Sequence, residues 1–278
     1  MTPLVSTAWL SERLADPGLS IIDATWFMPG DPRDARDEFI ASHIPGAAFF
    51  GIEEICDHAS ALPHMLASPA EFARSVRRLG ISETSHVVVY DHAGLLSAPR
   101  VWWNFRVMGH VAVQVLDGGL PKWTSEGRPV EIGWTDHPHA ELKANPNPAL
   151  VSDLEQVRQA LGHGSAQLVD ARTAERFSGA APEPRPGLRP GHMPGALNLP
   201  WAQLITADGA LAGPEVVAAA VARAGIDIQK PIITSCGSGV SAALLAMAFA
   251  SLGRDDVAVY DGSWAEWGAR TDTPVVAG

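Results

Sequence analysis

Residues 43–47 read His-Ile-Pro-Gly-Ala, and residues 192–196 read His-Met-Pro-Gly-Ala. Other stretches match in the same order and at a nearly constant separation: 5–10 with 151–156, 21–24 with 168–171, 79–81 with 224–226, 87–91 with 232–236, and 117–123 with 261–267. Ordered self-similarity of this kind indicates a structural unit that occurs twice. The chain is therefore predicted to consist of two related domains of similar size.

The join between the two repeats lies in residues 133–150, which are rich in proline, asparagine and histidine. This composition is typical of a linker. We therefore expect an N-terminal domain over residues 1–132 and a C-terminal domain over residues 151–278.

Each repeat alternates short apolar runs with helical segments. In the second repeat, strands are predicted at 168–170, 232–235 and 257–260, and helices over 214–224 and from about residue 240. Ser152 with Glu155 predicts a capping box before the first helix of this repeat, and Ser6 is the expected cap in the first. The alternation predicts an α/β fold in which each domain is a mostly parallel sheet flanked by helices.

Composition narrows the possible functions. The chain has 278 residues, 46% of them hydrophobic, and a formal net charge of −11, which argues against nucleic acid and anionic membranes as partners. No apolar run reaches the length of a membrane span, and residues 1–5 do not resemble a signal peptide. Two cysteines, Cys56 and Cys236, form neither a disulfide framework nor a zinc pattern. We expect a cytoplasmic location and no cofactor or metal; Cys56 is expected to be inert.

Cys236 lies where a predicted strand meets a predicted helix, in the segment Thr-Ser-Cys-Gly-Ser-Gly-Val-Ser-Ala over residues 234–242. The free backbone N–H groups and the positive dipole end of a helix N-terminus favour a thiolate there. A cysteine phosphatase needs an arginine six residues later, where this chain has Ala242. A thioredoxin-like oxidoreductase needs a second cysteine nearby. Cys236 is therefore predicted to be a nucleophile of another class.

The loop over residues 236–242 resembles the active-site loop of 3-mercaptopyruvate sulfurtransferases, which belong to the tandem-domain rhodanese family. The related thiosulfate sulfurtransferases carry Arg-Lys in place of Gly237-Ser238. The resemblance covers almost the whole chain and implies two rhodanese-like domains, with Cys236 carrying sulfur as a persulfide. Asp91 occupies the equivalent position in the first repeat and cannot hold a transferable sulfur, so only the C-terminal domain is expected to be catalytic.

The resemblance also implies roles for further side chains. Arg176 and Arg185 are expected to bind the substrate carboxylate, and the first repeat has Glu38 where the second has Arg176. The loop residues expected to contact substrate are Gly237, Gly239, Val240 and Ser241.

A proton relay of Ser, His and Asp has been proposed for the family. Here it would be Ser238, His43 and Asp34. His43 has a counterpart in His192, so an interpretation in which both histidines simply hold a Pro-Gly turn stays open.

The predicted reaction moves sulfur from 3-mercaptopyruvate to a thiol acceptor such as thioredoxin, or to cyanide, and releases pyruvate. Two alternatives remain open at this point. One is a thiosulfate:cyanide sulfurtransferase, which the neutral Gly237-Ser238 pair disfavours because thiosulfate is a dianion. The other is a non-catalytic rhodanese-like binding module.

Overall fold

The computed structural model describes residues 2–278 and divides them into two compact units. The first unit contains the described residues up to Ala59, together with Leu66–Asn147 and Thr206–Leu211. The second unit contains Ser60–Met65, Pro148–Ile205 and Ala212–Gly278. Each unit thus includes one short segment from the other half of the sequence, which the repeat alignment does not predict.

The first unit contains five strands and five α-helices within the described residues. In chain order they are β1 (Leu4–Val5), α1 (Thr7–Ser11), β2 (Leu19–Asp23), α2 (Ala35–Ala41), β3 (Ala47–Phe49), α3 (Pro69–Arg78), β4 (His86–Tyr90), α4 (Ala98–Val107), β5 (Val113–Leu116) and α5 (Gly119–Ser125).

The second unit repeats this order, with short 3-10 helices at Pro148–Leu150 and Trp201–Leu204. Its elements are β6 (Val151–Ser152), α6 (Leu154–His163), β7 (Gln167–Asp170), α7 (Ala174–Ser178), β8 (Leu197–Asn198), α8 (Pro214–Arg223), β9 (Ile232–Ser235), α9 (Val240–Ser251), β10 (Ala258–Tyr260) and α10 (Ser263–Trp267).

Both units have the same sheet. The strand order is β1-β5-β4-β2-β3 in the first and β6-β10-β9-β7-β8 in the second, and every pairing is parallel. The α/β prediction with two parallel sheets is confirmed. The middle strands are β4 and β9, and Asp91 and Cys236 directly follow them. Both residues therefore lie at the carboxyl ends of the parallel strands, where α/β proteins place their sites.

Capping explains where the first helix of each unit begins. Ser6 accepts the Trp9 N–H at 3.1 Å, as predicted. The predicted capping box of Ser152 with Glu155 is wrong by one residue. Asp153 accepts the Gln156 N–H at 2.8 Å, and the Gln156 side chain accepts the Asp153 N–H at 2.9 Å. Ser152 belongs to β6 and pairs with Tyr260, so its backbone is committed to the sheet.

The cores are built from apolar strands and buried tryptophans. Trp123 is buried in the first unit, and Trp264 and Trp267 are buried in the second. Each indole N–H donates to a backbone carbonyl of its own unit, so burial leaves none of these three N–H groups unsatisfied. Helix α9 is apolar on nearly all sides and contacts β9 and β10. No helix within residues 2–278 is both long and apolar enough to cross a membrane.

Candidate active site

Cys236 follows β9 directly and is buried. Its loop, residues 236–239, ends at Gly239, which caps α9 with a φ of +84°. Glycine adopts this left-handed backbone without the penalty that a Cβ brings. The turn therefore places the cysteine at the N-terminus of a helix of 12 residues, as the sequence predicts.

The sulfur of Cys236 accepts a hydrogen bond from a backbone amide. The Gly239 N–H lies 3.2 Å from Cys236 Sγ. The amides of the first helical turn, including those of Val240 and Ser241, have no intrahelical acceptor because of their position in the helix. With the helix dipole, they make this end of α9 favourable for negative charge on sulfur.

The backbone on both sides of Cys236 is fixed by the start of α10. The Cys236 N–H donates to Ser263 Oγ at 3.1 Å, and the Cys236 carbonyl accepts from the Trp264 N–H at 3.0 Å. The Ala265 N–H donates to the Gly237 carbonyl at 2.8 Å. The loop is therefore tied to the end of the neighbouring strand β10 through the helix that follows it.

The first unit shows what the same turn does with a carboxylate side chain. The buried Asp91 carboxylate accepts four backbone N–H groups at 2.8–2.9 Å, from Ala93, Leu96, Ser97 and Ala98. Two of these donors are the cap and first residue of α4. This strand-to-helix turn is thus an anion site in the first unit, which is independent support for a thiolate or persulfide at Cys236.

Arg176 lies beside the Cys236 loop. A Cβ added to Gly237 would be 3.0 Å from Arg176 Nη2, so the guanidinium packs against this glycine. Arg176 Nη2 donates to Glu183 Oε2 at 2.5 Å. The structure therefore brings one predicted carboxylate-binding arginine to the loop and pairs it with a buried carboxylate.

A second, fully buried arginine completes this network. Arg172 donates to both oxygens of Asp170 and, at 2.8 Å, to Glu183 Oε1. Its guanidinium lies 4.3 Å from the Trp264 ring centroid. Burial opposes the charge of Arg172, but Asp170 and Glu183 outweigh burial and raise the pKa of Arg172. Glu183 thus bridges two guanidinium groups, one in the core and one at the loop.

Neither Arg172 nor the bridging role of Glu183 was predicted from the sequence. A signal was available, since Glu183 lies in the same Pro-rich segment as Arg185, two residues before it. Arg185 itself is half-buried, and its role in binding the carboxylate stays a prediction.

The histidine next to the loop is His64. Its Nε2 lies 2.9 Å from the backbone carbonyl of Ser238, and both residues are buried. Because a carbonyl only accepts, this contact requires a proton on Nε2. His64 belongs to the segment Ser60–Met65, which the sequence places in the first repeat but the fold places in the second unit. His64 was not predicted from the sequence, because its segment has no counterpart in the second repeat.

His43 and His192 have matching surroundings. His43 Nδ1 lies 2.9 Å from the Phe39 carbonyl, and its ring stacks on Phe39. His192 Nδ1 lies 2.8 Å from the Phe177 carbonyl and stacks on that ring. Both rings are therefore held in the same way before a Pro-Gly turn. This symmetry favours the structural interpretation of His43 over the relay.

Asp34 also has a structural role. It is the exposed cap of α2, where its carboxylate accepts the N–H groups of Arg36 and Asp37 at 2.8 and 3.0 Å. These bonds explain the residue without any part in proton transfer.

Cys56 differs from Cys236 in its surroundings. Its Sγ donates to the Glu53 carbonyl at 3.3 Å. Burial raises the pKa of the Cys56 thiol, and the charges of Glu53 and Asp57 raise it further. A raised pKa disfavours the Cys56 thiolate, and the inertness of Cys56 stays a prediction.

Comparison with known proteins places these features in a family. The sequence profile of the rhodanese-like domain matches residues 6–126 and 153–270. The chain is 45% identical to 3-mercaptopyruvate sulfurtransferase from Escherichia coli, over 99% of this chain and 98% of that one. It is also 45% identical to thiosulfate sulfurtransferase from Bos taurus, over 95% and 91%. The crystal structure of SseA from Escherichia coli, described as a 3-mercaptopyruvate sulfotransferase, matches with a TM-score of 0.88 at 42% identity, covering 96% of this chain and all of that one.

Proposed function

Because this chain belongs to the rhodanese family, we propose that it is a sulfurtransferase that takes sulfur from 3-mercaptopyruvate and carries it on Cys236. The observation that carries the proposal is the position of Cys236, with the Gly239 N–H on its sulfur at the start of α9. The equivalent turn of the first unit, closed around the Asp91 carboxylate, supports it.

In the first half-reaction, the Cys236 thiolate attacks the thiol sulfur of mercaptopyruvate. A sulfur–sulfur bond forms while the carbon–sulfur bond breaks, and the bonding electrons move into the enolate of pyruvate. The thiol proton of the donor ends on the enolate carbon, which gives pyruvate and a Cys236 persulfide. The loop amides stabilise the negative charge on the outer sulfur, as an oxyanion hole does for oxygen.

Arg176 and Arg185 hold the carboxylate of the donor in this proposal. The packing of Arg176 against Gly237 supports the assignment, because it puts a guanidinium beside the loop that carries sulfur. Guanidinium groups suit carboxylates since they offer parallel N–H donors. In the same proposal, the loop residues Gly237, Gly239, Val240 and Ser241 contact the donor.

For the proton we infer that Ser238 acts together with a histidine. His64 Nε2 donates to the Ser238 carbonyl and so holds the loop at Ser238, which supports a positioning role for His64 in this step. The relay through His43 and Asp34 remains a separate hypothesis, and replacing each histidine by alanine distinguishes the two.

In the second half-reaction an acceptor removes the outer sulfur and restores the Cys236 thiolate. We propose a small thiol, thioredoxin or cyanide, because each is a nucleophile that can attack the outer sulfur of a persulfide. Low cysteine use favours a reducing cytoplasm as the place of action, which fractionation of expressing cells would test.

Donor choice follows from the loop. This chain is 45% identical both to a 3-mercaptopyruvate sulfurtransferase and to a thiosulfate sulfurtransferase, so overall sequence identity does not decide which donor it uses. The loop side chains here are those of Gly237 and Ser238, which bring no positive charge. The Arg176 guanidinium beside Gly237 is already paired with Glu183, and the loop side chains add no second cation for a dianion. Because desolvating that dianion is costly, we expect mercaptopyruvate to be the better donor.

The test is a steady-state assay with both donors and with Cys236→Ser in a Cys56→Ser background. We expect a higher kcat/KM for mercaptopyruvate than for thiosulfate, pyruvate release in step with sulfur transfer, and no turnover in the variant. Mass spectrometry of the enzyme treated with donor should show one added sulfur on Cys236. A chain that folds but never gains this sulfur would instead be a non-catalytic binding module.

A further inference from the structure

Ser263, the first residue of α10, has a backbone conformation that side chains rarely adopt. Its φ is +48°, and only His64 shares a positive φ among the non-glycine residues within 2–278. The equivalent residue in the first unit is Gly119, with a φ of +55°. Glycine accepts this conformation freely, whereas serine meets steric strain there. Such strain persists where the surroundings enforce it, often at functional sites.

The hydroxyl of Ser263 joins two strand ends. It donates to the Tyr260 carbonyl at 2.8 Å and accepts the Cys236 N–H at 3.1 Å. Because its one proton is used on Tyr260, its lone pairs are turned towards Cys236. The bond reaches the peptide that immediately precedes the nucleophile.

The two units differ at this point. In both, the residue after this position donates its N–H to the carbonyl of the turn residue at 3.0 Å: Leu120 to Asp91 and Trp264 to Cys236. The hydroxyl bond exists only in the second unit, because Gly119 has no side chain. A Cβ at Gly119 would collide with the Asp91 carbonyl oxygen, so the first unit has no room for serine.

We propose that Ser263 is a positioning residue for Cys236. Its hydroxyl fixes the peptide before Cys236 while the Trp264 amide fixes the peptide after it. Together they set both backbone dihedrals of the cysteine and hold Sγ against the Gly239 N–H. The strain at Ser263 is retained because glycine, which would relieve it, lacks this hydroxyl. The inference rests on the proposed role of Cys236 as the sulfur carrier.

The experiment compares Ser263→Gly with Ser263→Ala in a Cys56→Ser background. Both variants lose the hydroxyl, but glycine relieves the strained backbone and alanine keeps it. Ser251→Ala is the matched control, since the Ser251 hydroxyl also donates to a carbonyl, that of Ala248, at the far end of α9. The readouts are thermal unfolding, kcat/KM for mercaptopyruvate, and the rate of Cys236 alkylation by iodoacetamide as a function of pH.

We expect both Ser263 variants to lose roughly 5- to 50-fold in kcat/KM, the scale of losing one buried hydrogen-bond partner. Their alkylation profiles should move to higher pH, and Ser263→Gly should unfold at or above the temperature of Ser263→Ala. Ser251→Ala should match the parent in both reactivity assays.

Parent-like turnover and alkylation in Ser263→Gly would overturn the proposal, because backbone conformation alone would then suffice. A loss confined to Ser263→Ala that follows its thermal stability would overturn it as well. If the parent enzyme transfers no sulfur, the proposed function fails, whereas the alkylation profiles still report whether Ser263 positions the cysteine.

Discussion

Glu183→Gln tests whether the buried carboxylate of Glu183 holds Arg176 in place beside the Cys236 loop. The Glu183 carboxylate is almost fully buried and accepts from Arg172 at 2.8 Å and from Arg176 at 2.5 Å. Glutamine keeps the shape but offers one oxygen, and its amide N–H₂ cannot accept. We expect the oxygen to turn to Arg172, because a fully buried guanidinium with unsatisfied donors is the more costly alternative. Arg176 then loses its anchor beside Gly237.

The expected magnitudes follow from these contacts. A charge-assisted hydrogen bond contributes about 1.5–3 kcal/mol, so losing the anchor should lower kcat/KM for mercaptopyruvate by roughly 10- to 150-fold. The change should appear mainly as a higher KM, since Arg176 is proposed to bind the donor carboxylate. Arg172 keeps Asp170, which limits the loss of folding stability to about 2–4 kcal/mol, less than for breaking an isolated buried pair.

The assay is steady-state turnover below the unfolding temperature, with thermal unfolding measured in parallel. Glu175→Gln is the matched control, because Glu175 lies exposed on the same helix α7. A folded Glu183→Gln enzyme with the parent KM for mercaptopyruvate would refute the view that Glu183 holds Arg176 for substrate.

Three further predictions follow from the site. Asp91→Ala removes the acceptor of four backbone N–H groups and should lower the free energy of unfolding by about 3 kcal/mol in a chemical denaturation experiment; an unchanged midpoint would contradict the anion role of that turn. His64→Ala should reduce kcat/KM at least about tenfold, whereas His43→Ala should reduce thermal stability with turnover retained; the reverse pattern would favour the relay through His43. Replacing Gly237 by Arg and Ser238 by Lys should raise the ratio of kcat/KM for thiosulfate to kcat/KM for mercaptopyruvate. The ratio is the proper measure because a side chain at residue 237 crowds Arg176 and could lower both values. An unchanged ratio in a folded protein would show that loop charge does not determine donor choice.

The elements that could be predicted from the sequence are those marked by the internal repeat or by hydrophobic periodicity. The strand 232–235, the helix from Val240 and the two parallel sheets are all confirmed. These elements follow from apolar runs and from glycines at turns, which are local signals. The position of Cys236 at the start of α9 is a consequence of the same local pattern.

Long-range contacts were the part that sequence could not supply. His64 is distant in sequence from Ser238, and its segment lies outside the repeat, so nothing local marks it. The histidines chosen from the repeat, His43 and His192, stood out because they recur, and recurrence reports the shared fold more than the chemistry. Glu183 was visible as a residue, but its link between Arg172 and Arg176 depends on which side chains meet in the folded core.

The Asp91 carboxylate shows how equivalent turns in a duplicated fold can differ in what they bind. In the first unit the Asp91 carboxylate is part of the chain itself. The backbone N–H groups of the turn therefore have their acceptor as soon as the chain folds. On the proposed function, the corresponding turn of the second unit stabilises a negative charge that changes as sulfur is loaded on Cys236 and removed. The second unit should therefore gain thermal stability when Cys236 is loaded as a persulfide, and the unit that contains Asp91 should not respond.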